Sequence, residues 1–91
     1  MPSIHIRRPH QLPIAEARAR VEQVVARMQE KFGLVGAWQG DTLGFSRPGL
    51  TGSIAVEREA IEVQARLGMM LTPLKGVIEQ EIRRKLEELF A

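Results

Sequence analysis

The side chains that could carry chemistry are few, and their spacing does not bring them together. The two histidines, His5 and His10, fall in a strand pattern and in the loop after it, and no third metal ligand lies at a suitable spacing. Asp41, the only aspartate, follows Gly40 in a predicted turn, where aspartate is favoured for structural reasons. The glutamates fall mostly on helix faces near Arg or Lys, a pattern typical of solvated ion pairs rather than of a general acid and base. The sequence therefore predicts no catalytic site, no metal site and no cofactor.

The composition narrows the function classes further. The 91 residues include no cysteine and no tyrosine, so disulfides, thiolate metal sites and a cysteine nucleophile are excluded. A small domain without disulfides is more typical of the inside of the cell, and neither a signal peptide nor a membrane-spanning run is predicted. We therefore expect a single domain, residues 1–91, of a non-enzymatic cytoplasmic protein.

Nucleic-acid binding is the weakest of the hypotheses that the sequence leaves open. The formal net charge is only +2, and glutamates lie among the arginines almost everywhere. The stretch Gly49–Gly52 matches the GxxG of the KH module, but here it joins two predicted strands instead of two helices. The predicted α-β-β-β-α tail resembles the element order of the double-stranded RNA-binding domain. That domain has a lysine cluster at the start of its last helix, where this chain has Lys75 followed by Glu79 and Glu81.

The connection LGMMLTPLKG, residues 67–76, is unusually apolar and supports two hypotheses. In the first it closes one end of the core, because strand alternation directs Leu67 inward and at least one residue of Met69–Leu71 should pack below the helix start. In the second it exposes a methionine-rich patch that adapts to an apolar partner. The predicted patch consists of Leu67, Met69, Met70, Leu71 and Leu74, with Arg66 and Lys75 at its rim.

Apolar periodicity predicts the elements that position this connection. Residues 3–8 alternate as a strand, and an apolar stripe predicts a helix that begins at Pro13 and ends at Gly33. Further along, residues 61–67 alternate as a strand. Thr72 and Pro73 are the predicted cap and first residue of a final helix.

A hairpin is predicted between the first helix and the later strands. Gly40-Asp41 is a two-residue turn signal, which places Trp38 opposite Leu43 and Gly36 opposite Phe45. The missing side chain of Gly36 is expected to leave room for the Phe45 ring. Pro48-Gly49, with Gly52, predicts the next turn.

The element order β-α-β-β-β-β-α predicts an α+β fold, an antiparallel sheet with two helices packed on one face. This arrangement resembles a shortened helix-grip fold, whose larger members hold apolar ligands between the long C-terminal helix and the sheet. The resemblance implies an alternative function, the binding of an acyl chain in that space, with Trp38 as a fluorescent probe of the pocket. The other sheet face is polar and rich in small residues, which leaves a homodimer open.

Several short stretches, taken together, resemble one family. They are His5–His10, Glu16–Arg18, Gly40–Leu43 with Phe45, Ala65–Gly68, Lys75–Gly76 and Ile78–Arg84. In order and spacing they are similar to the polyhydroxyalkanoic acid system family, small bacterial proteins often encoded near polyhydroxyalkanoate genes. The resemblance implies no known activity and no catalytic residues. Some members are proposed to associate with polyhydroxyalkanoate granules in the manner of phasins, so it implies a granule surface or a granule protein as the partner.

Overall fold

The fold is described from a computed structural model, for residues 3–90. It contains five strands, two α-helices and one 3₁₀ helix. Their bounds are β1 (Ser3–Pro9), α1 (Ile14–Phe32), β2 (Val35–Gln39), β3 (Thr42–Arg47), β4 (Leu50–Val56), β5 (Ala60–Leu67), the 3₁₀ helix (Met69–Leu74) and α2 (Lys75–Phe90). The predicted α+β class and the order β-α-β-β-β-β-α are confirmed.

The five strands form one antiparallel sheet in the order β1-β5-β4-β3-β2. The first strand therefore lies beside the last one, with Ser3 opposite Arg66. The predicted register of the β2–β3 hairpin is confirmed, because Trp38 lies opposite Leu43 and Gly36 opposite Phe45. Gly40, with φ of 64°, opens the turn between them, as a two-residue hairpin of type II′ requires.

Both helices pack on the inner face of the sheet, where the core lies. Helix α1 contacts β4, α2 contacts β1, and the two helices contact each other. The buried side chains of the helices repeat every three or four residues, as amphipathic helices require. They are Ala17, Val21, Val24, Val25 and Met28 in α1, and Ile78, Ile82, Leu86 and Phe90 among those in α2.

One predicted packing detail needs correction. The space above Gly36 is filled by helix α1, because a Cβ added there would lie 3.3 Å from Cγ1 of Val25. The Phe45 ring lies instead over Gly52, where an added Cβ would lie 2.6 Å from the ring carbon Cζ. Gly52 is therefore part of β4, opposite Phe45, rather than part of the preceding turn.

The start of the last helix also differs from the prediction. The sequence predicted an α-helix that opens at Pro73 with Thr72 as its cap, but α2 begins at Lys75 and both residues lie in the 3₁₀ helix. The Thr72 hydroxyl donates a hydrogen bond backward to the carbonyl of Gly68 at 3.2 Å, so it does not cap the helix. Neither α-helix in residues 3–90 combines the length and the apolar character needed to cross a bilayer.

Candidate functional site

The corner between β5 and α2 is fixed to the turn between β3 and β4. The Gly68 N–H donates to the carbonyl of Gly49 at 2.7 Å, and the Leu71 N–H donates to the carbonyl of Gly68 at 3.1 Å. The hydrogen bond from Thr72 to the same Gly68 carbonyl closes the first turn of the 3₁₀ helix. Because its backbone is bonded in this way, the corner presents its side chains from a fixed base.

The inward side of the corner belongs to the core. Leu67 is fully buried, and Leu71 keeps only 9% of its surface exposed. Leu71 lies against Gly49, where a side chain would meet it at 3.3 Å and where φ is 86°. The expectation that Leu67 and one residue of the connection close the core is thus confirmed. Leu67 and Leu71, predicted as members of a surface patch, are not available to a partner at the surface.

The outward side of the corner carries four apolar side chains that the fold leaves exposed. Met69 is 91% exposed and Met70 is 90% exposed, while Leu74 and Val77 are each exposed over a third or more of their surface. These four residues are called the methionine patch below. Val77 was not predicted as part of it, although its spacing of three residues from Leu74 on a helix was the available signal.

The two predicted rim residues lie on different sides of the corner. Lys75 follows Leu74 directly and forms an ion pair with Glu79 at 3.3 Å. Arg66 precedes the buried Leu67, so strand alternation directs it to the outer face of the sheet, opposite Ser3. Lys75 therefore adjoins the methionine patch in sequence, whereas Arg66 belongs to the sheet surface.

A buried carboxylate of α2, Glu81, joins the two helices. Glu81 accepts hydrogen bonds from Lys31 at 3.1 Å, from Arg84 at 3.1 Å and from Arg27 at 3.4 Å. The hydrogen bond from Lys31 is the main cause that lowers the pKa of Glu81, burial opposes it, and the charges of Arg84 and Lys31 add to the lowering. The sequence pattern had placed this glutamate on a solvated helix face, and that placement is wrong.

His10 was predicted as a loop histidine, and the structure buries it. Its Nδ1 accepts the Leu12 N–H at 3.1 Å, so Nε2 carries the hydrogen and donates to the carbonyl of Glu57 at 2.8 Å. The ring also packs against Phe90, with centroids 5.8 Å apart. Both ring nitrogens are used in these contacts, so His10 connects the loop after β1 to the turn before β5.

His5 remains exposed on the outer face, as predicted, and pairs with Glu62 at 3.0 Å. Arg7 bridges Glu62 and Glu57, at 3.0 and 3.1 Å. The hydrogen bond with His5 is the main cause that lowers the pKa of Glu62. Within residues 3–90, no three His, Asp or Glu side chains are arranged to hold a metal ion.

The space between α2 and the sheet is filled by the side chains of the protein itself. Ile78, Ile82 and Leu86 are each 1% exposed. Trp38 does not line that space, because it lies on β2, at the far edge of the sheet from the β1 strand that α2 contacts. Its Nε1 donates to Glu22 at 2.9 Å, so it would report on the contact with α1 rather than on an acyl chain below α2.

The basic residues of α2 are occupied by glutamates of the same helix. Arg83 pairs with Glu79 at 3.1 Å, Arg84 pairs with Glu81 at 3.1 Å, and Lys85 lies 3.7 Å from Glu88. Paired cations attract phosphates less strongly than free ones, since the neighbouring carboxylates cancel their field. On α2, the cations that the RNA-binding hypothesis would use are therefore paired.

Comparison with known proteins gives one match. A family model described as "Putative polyhydroxyalkanoic acid system protein" matches residues 4–90. Neither the curated proteins nor the solved structures contain a significant match to the chain.

Proposed function

Because this chain belongs to the putative polyhydroxyalkanoic acid system protein family, we propose that it is a non-enzymatic accessory protein that binds polyhydroxyalkanoate granules in the cytoplasm. The family supplies the metabolic context. The methionine patch supplies the surface by which the protein would attach, either to the polyester itself or to a protein on the granule. No reaction is assigned to the chain under this proposal.

The observation that carries the proposal is the exposure of Met69 and Met70 on a corner whose backbone is held by hydrogen bonds. Exposed apolar side chains that lie together are typical of interaction surfaces. Methionine is unbranched and polarisable, so it adapts to an irregular apolar surface better than a branched side chain does. A polyester granule is a surface of that kind, and the bonded backbone of the corner means that binding would order only side chains.

The charged residues beside the methionine patch are compatible with binding to an apolar particle suspended in water. Lys75, next to Leu74, and its partner Glu79 place charge directly beside the apolar side chains. These charges would reduce non-specific association of the unbound patch. The methionine side chains are flexible and can extend beyond the charged residues to contact an apolar surface. The patch is thus expected to bind reversibly and without a defined pocket.

The proposal can be tested by co-sedimentation of the purified protein with protein-free polyester particles and with native granules. The double variant Met69→Ser with Met70→Ser is expected to bind the particles at least about tenfold more weakly. Burying one methionine side chain contributes about 1.5–3 kcal/mol, and about 1.4 kcal/mol corresponds to a factor of ten.

Val35→Ser is the matched control, because Val35 is 71% exposed but lies on β2, away from the corner. It should bind like the unmodified protein. Binding to native granules alone would indicate a protein partner at the same patch. Binding to neither particle would overturn the proposed granule attachment, and equal binding by the double variant would overturn attachment through the methionine patch.

A further inference from the structure

The two edges of the sheet differ in how they are protected from other strands. The β1 edge carries His5, Arg7 and Arg8 and ends at Pro9, which are the charged residues and the proline that natural edges use against unwanted pairing. The β2 edge, VGAWQ, has no charged residue and no proline. It is therefore the edge to which a further strand could be added.

The hairpin geometry shows which backbone groups of β2 are free. A two-residue turn makes Gln39 and Thr42 a hydrogen-bonded pair, so Gln39, Ala37 and Val35 direct their N–H and C=O groups towards β3. The corresponding groups of Gly36 and Trp38 point away from the sheet. Within residues 3–90, no protein group bonds to them.

We propose that two copies of this chain pair through their β2 strands, antiparallel about a two-fold axis at Ala37, to form a ten-stranded sheet. In this register Gly36 and Trp38 of one copy exchange backbone hydrogen bonds with the partner's Trp38 and the partner's Gly36. Ala37 lies opposite the partner's Ala37, and Val35 lies opposite the partner's Gln39. The dimer does not depend on the granule-binding proposal.

A second copy is the occupant that the side chains favour. The Ala37 pair lies at the close, non-hydrogen-bonded position on the outer face, where small side chains fit. Shifting the register by two residues would instead place Trp38 opposite the partner's Trp38, or would use Leu34, which is buried and outside the strand.

Charge also favours self-association at this edge. Because β2 is uncharged, two copies approach without repulsion along the strands. The β1 edge instead carries Arg7 and Arg8, charged side chains of the kind that natural edges use against pairing. The surface thus accepts a second uncharged edge at β2 and rejects one at β1.

Trp38 gives the dimer its own optical signal, because it is the only tryptophan and is half-buried at this edge. Sedimentation velocity over a wide range of protein concentration should show a monomer–dimer equilibrium. The emission of Trp38 should shift to the blue with the same concentration dependence, since pairing covers the indole. A protein that stays monomeric throughout the range would overturn the proposal.

Substitutions at Ala37 test whether the two-fold axis of the dimer passes through this residue. Ala37→Lys is expected to weaken dimerisation at least roughly tenfold, because it puts two like charges in contact. Ala37→Glu should act in the same way alone, and an equal mixture of the two variants should recover a heterodimer. Circular dichroism would verify that both variants fold.

Ala55→Lys is the control, because it makes the same change on the outer face two strands further inside, on β4 opposite Glu62. It should dimerise like the unmodified protein. If Ala55→Lys dissociates the dimer as strongly as Ala37→Lys, or if the mixture stays monomeric, pairing through the β2 edge is disproved.

Discussion

Two regions at helix α2 depart in opposite ways from the usual distribution of apolar and charged side chains between the core and the surface. Just before α2, in the 3₁₀ helix, Met69 and Met70 are apolar and almost fully exposed. Within two turns of the helix, Glu81 is charged and buried. The first places hydrophobic surface in water, and the second places charge in the protein, so each of them needs a physical reason.

The reason is available within the fold for only one of the two. Glu81 is compensated by cations of both helices, Lys31 and Arg27 from α1 and Arg84 from α2, and its burial is therefore explained by helix packing. The exposed methionines are not compensated by any described contact of comparable kind. The difference is that the fold supplies partners for the charge of Glu81, whereas the described residues supply none that cover the two methionines.

The largest effect is expected on the buried side of the corner. Leu71→Ala should lower the free energy of unfolding by about 2–5 kcal/mol, because it removes core contacts and leaves a cavity beside Gly49. Chemical denaturation of the variant and of Met70→Ala would measure the contrast. Equal losses for the two variants would contradict the division of the corner into a core side and a surface side.

A smaller effect is expected for Glu81, since its partners are partly exposed and solvent screens them. The folded pKa of Glu81 lies below its ordinary value of 4.5. The unfolded chain therefore binds this proton first as the pH falls, and the stability that Glu81 contributes, fully present above pH 4.5, is lost through its folded pKa.

The comparison of Glu81→Gln with the unmodified protein isolates this contribution, because Glu62 and Glu79 titrate in the same direction in both. The variant should be less stable at neutral pH, and the difference between their thermal unfolding midpoints should shrink as the buffer is made acidic. A difference that does not change with pH would show that the carboxylate charge is not what matters at this position.

The smallest effect on stability is expected for Met69→Ser with Met70→Ser. Exposed side chains outside the core usually change the free energy of unfolding by no more than about 0.5 kcal/mol per site. Thermal unfolding of the double variant should therefore resemble that of the unmodified protein. A variant that unfolds would falsify the view that these methionines are surface residues, and would place them with Leu71 instead.

The sequence predicted the elements because alternation and helical stripes report local geometry. The alternation of β5, the Gly40 turn and the register of Trp38 with Leu43 all follow from short-range rules. The alternation of β5 directed Leu67 inward, yet the predicted patch still included it together with Met69 and Met70. The patterns could not decide how many residues of the corner face water.

What the sequence missed depends on residues that are distant in the chain. The burial of Glu81 requires Lys31 from another helix, and that of His10 requires the Glu57 carbonyl. The position of the Phe45 ring over Gly52 rather than Gly36 depends on how α1 lies across the sheet. The 3₁₀ helix replaces the predicted helix start because the corner is anchored to Gly49, a tertiary contact that no local pattern contains.

The sheet order has a consequence for the order in which the chain can fold. Strand β1 is synthesised before the other four strands, yet the strand beside it in the sheet is β5. Ser3 therefore cannot pair with Arg66 until β5 has been synthesised. Such a sequence-distant pairing makes folding slower than local hairpins do. Until it forms, Ile4 and Ile6 remain unpaired in the growing chain. The charges and the proline at the β1 edge then have a second effect, because they disfavour pairing of the still unpaired β1 strand with a strand of another molecule.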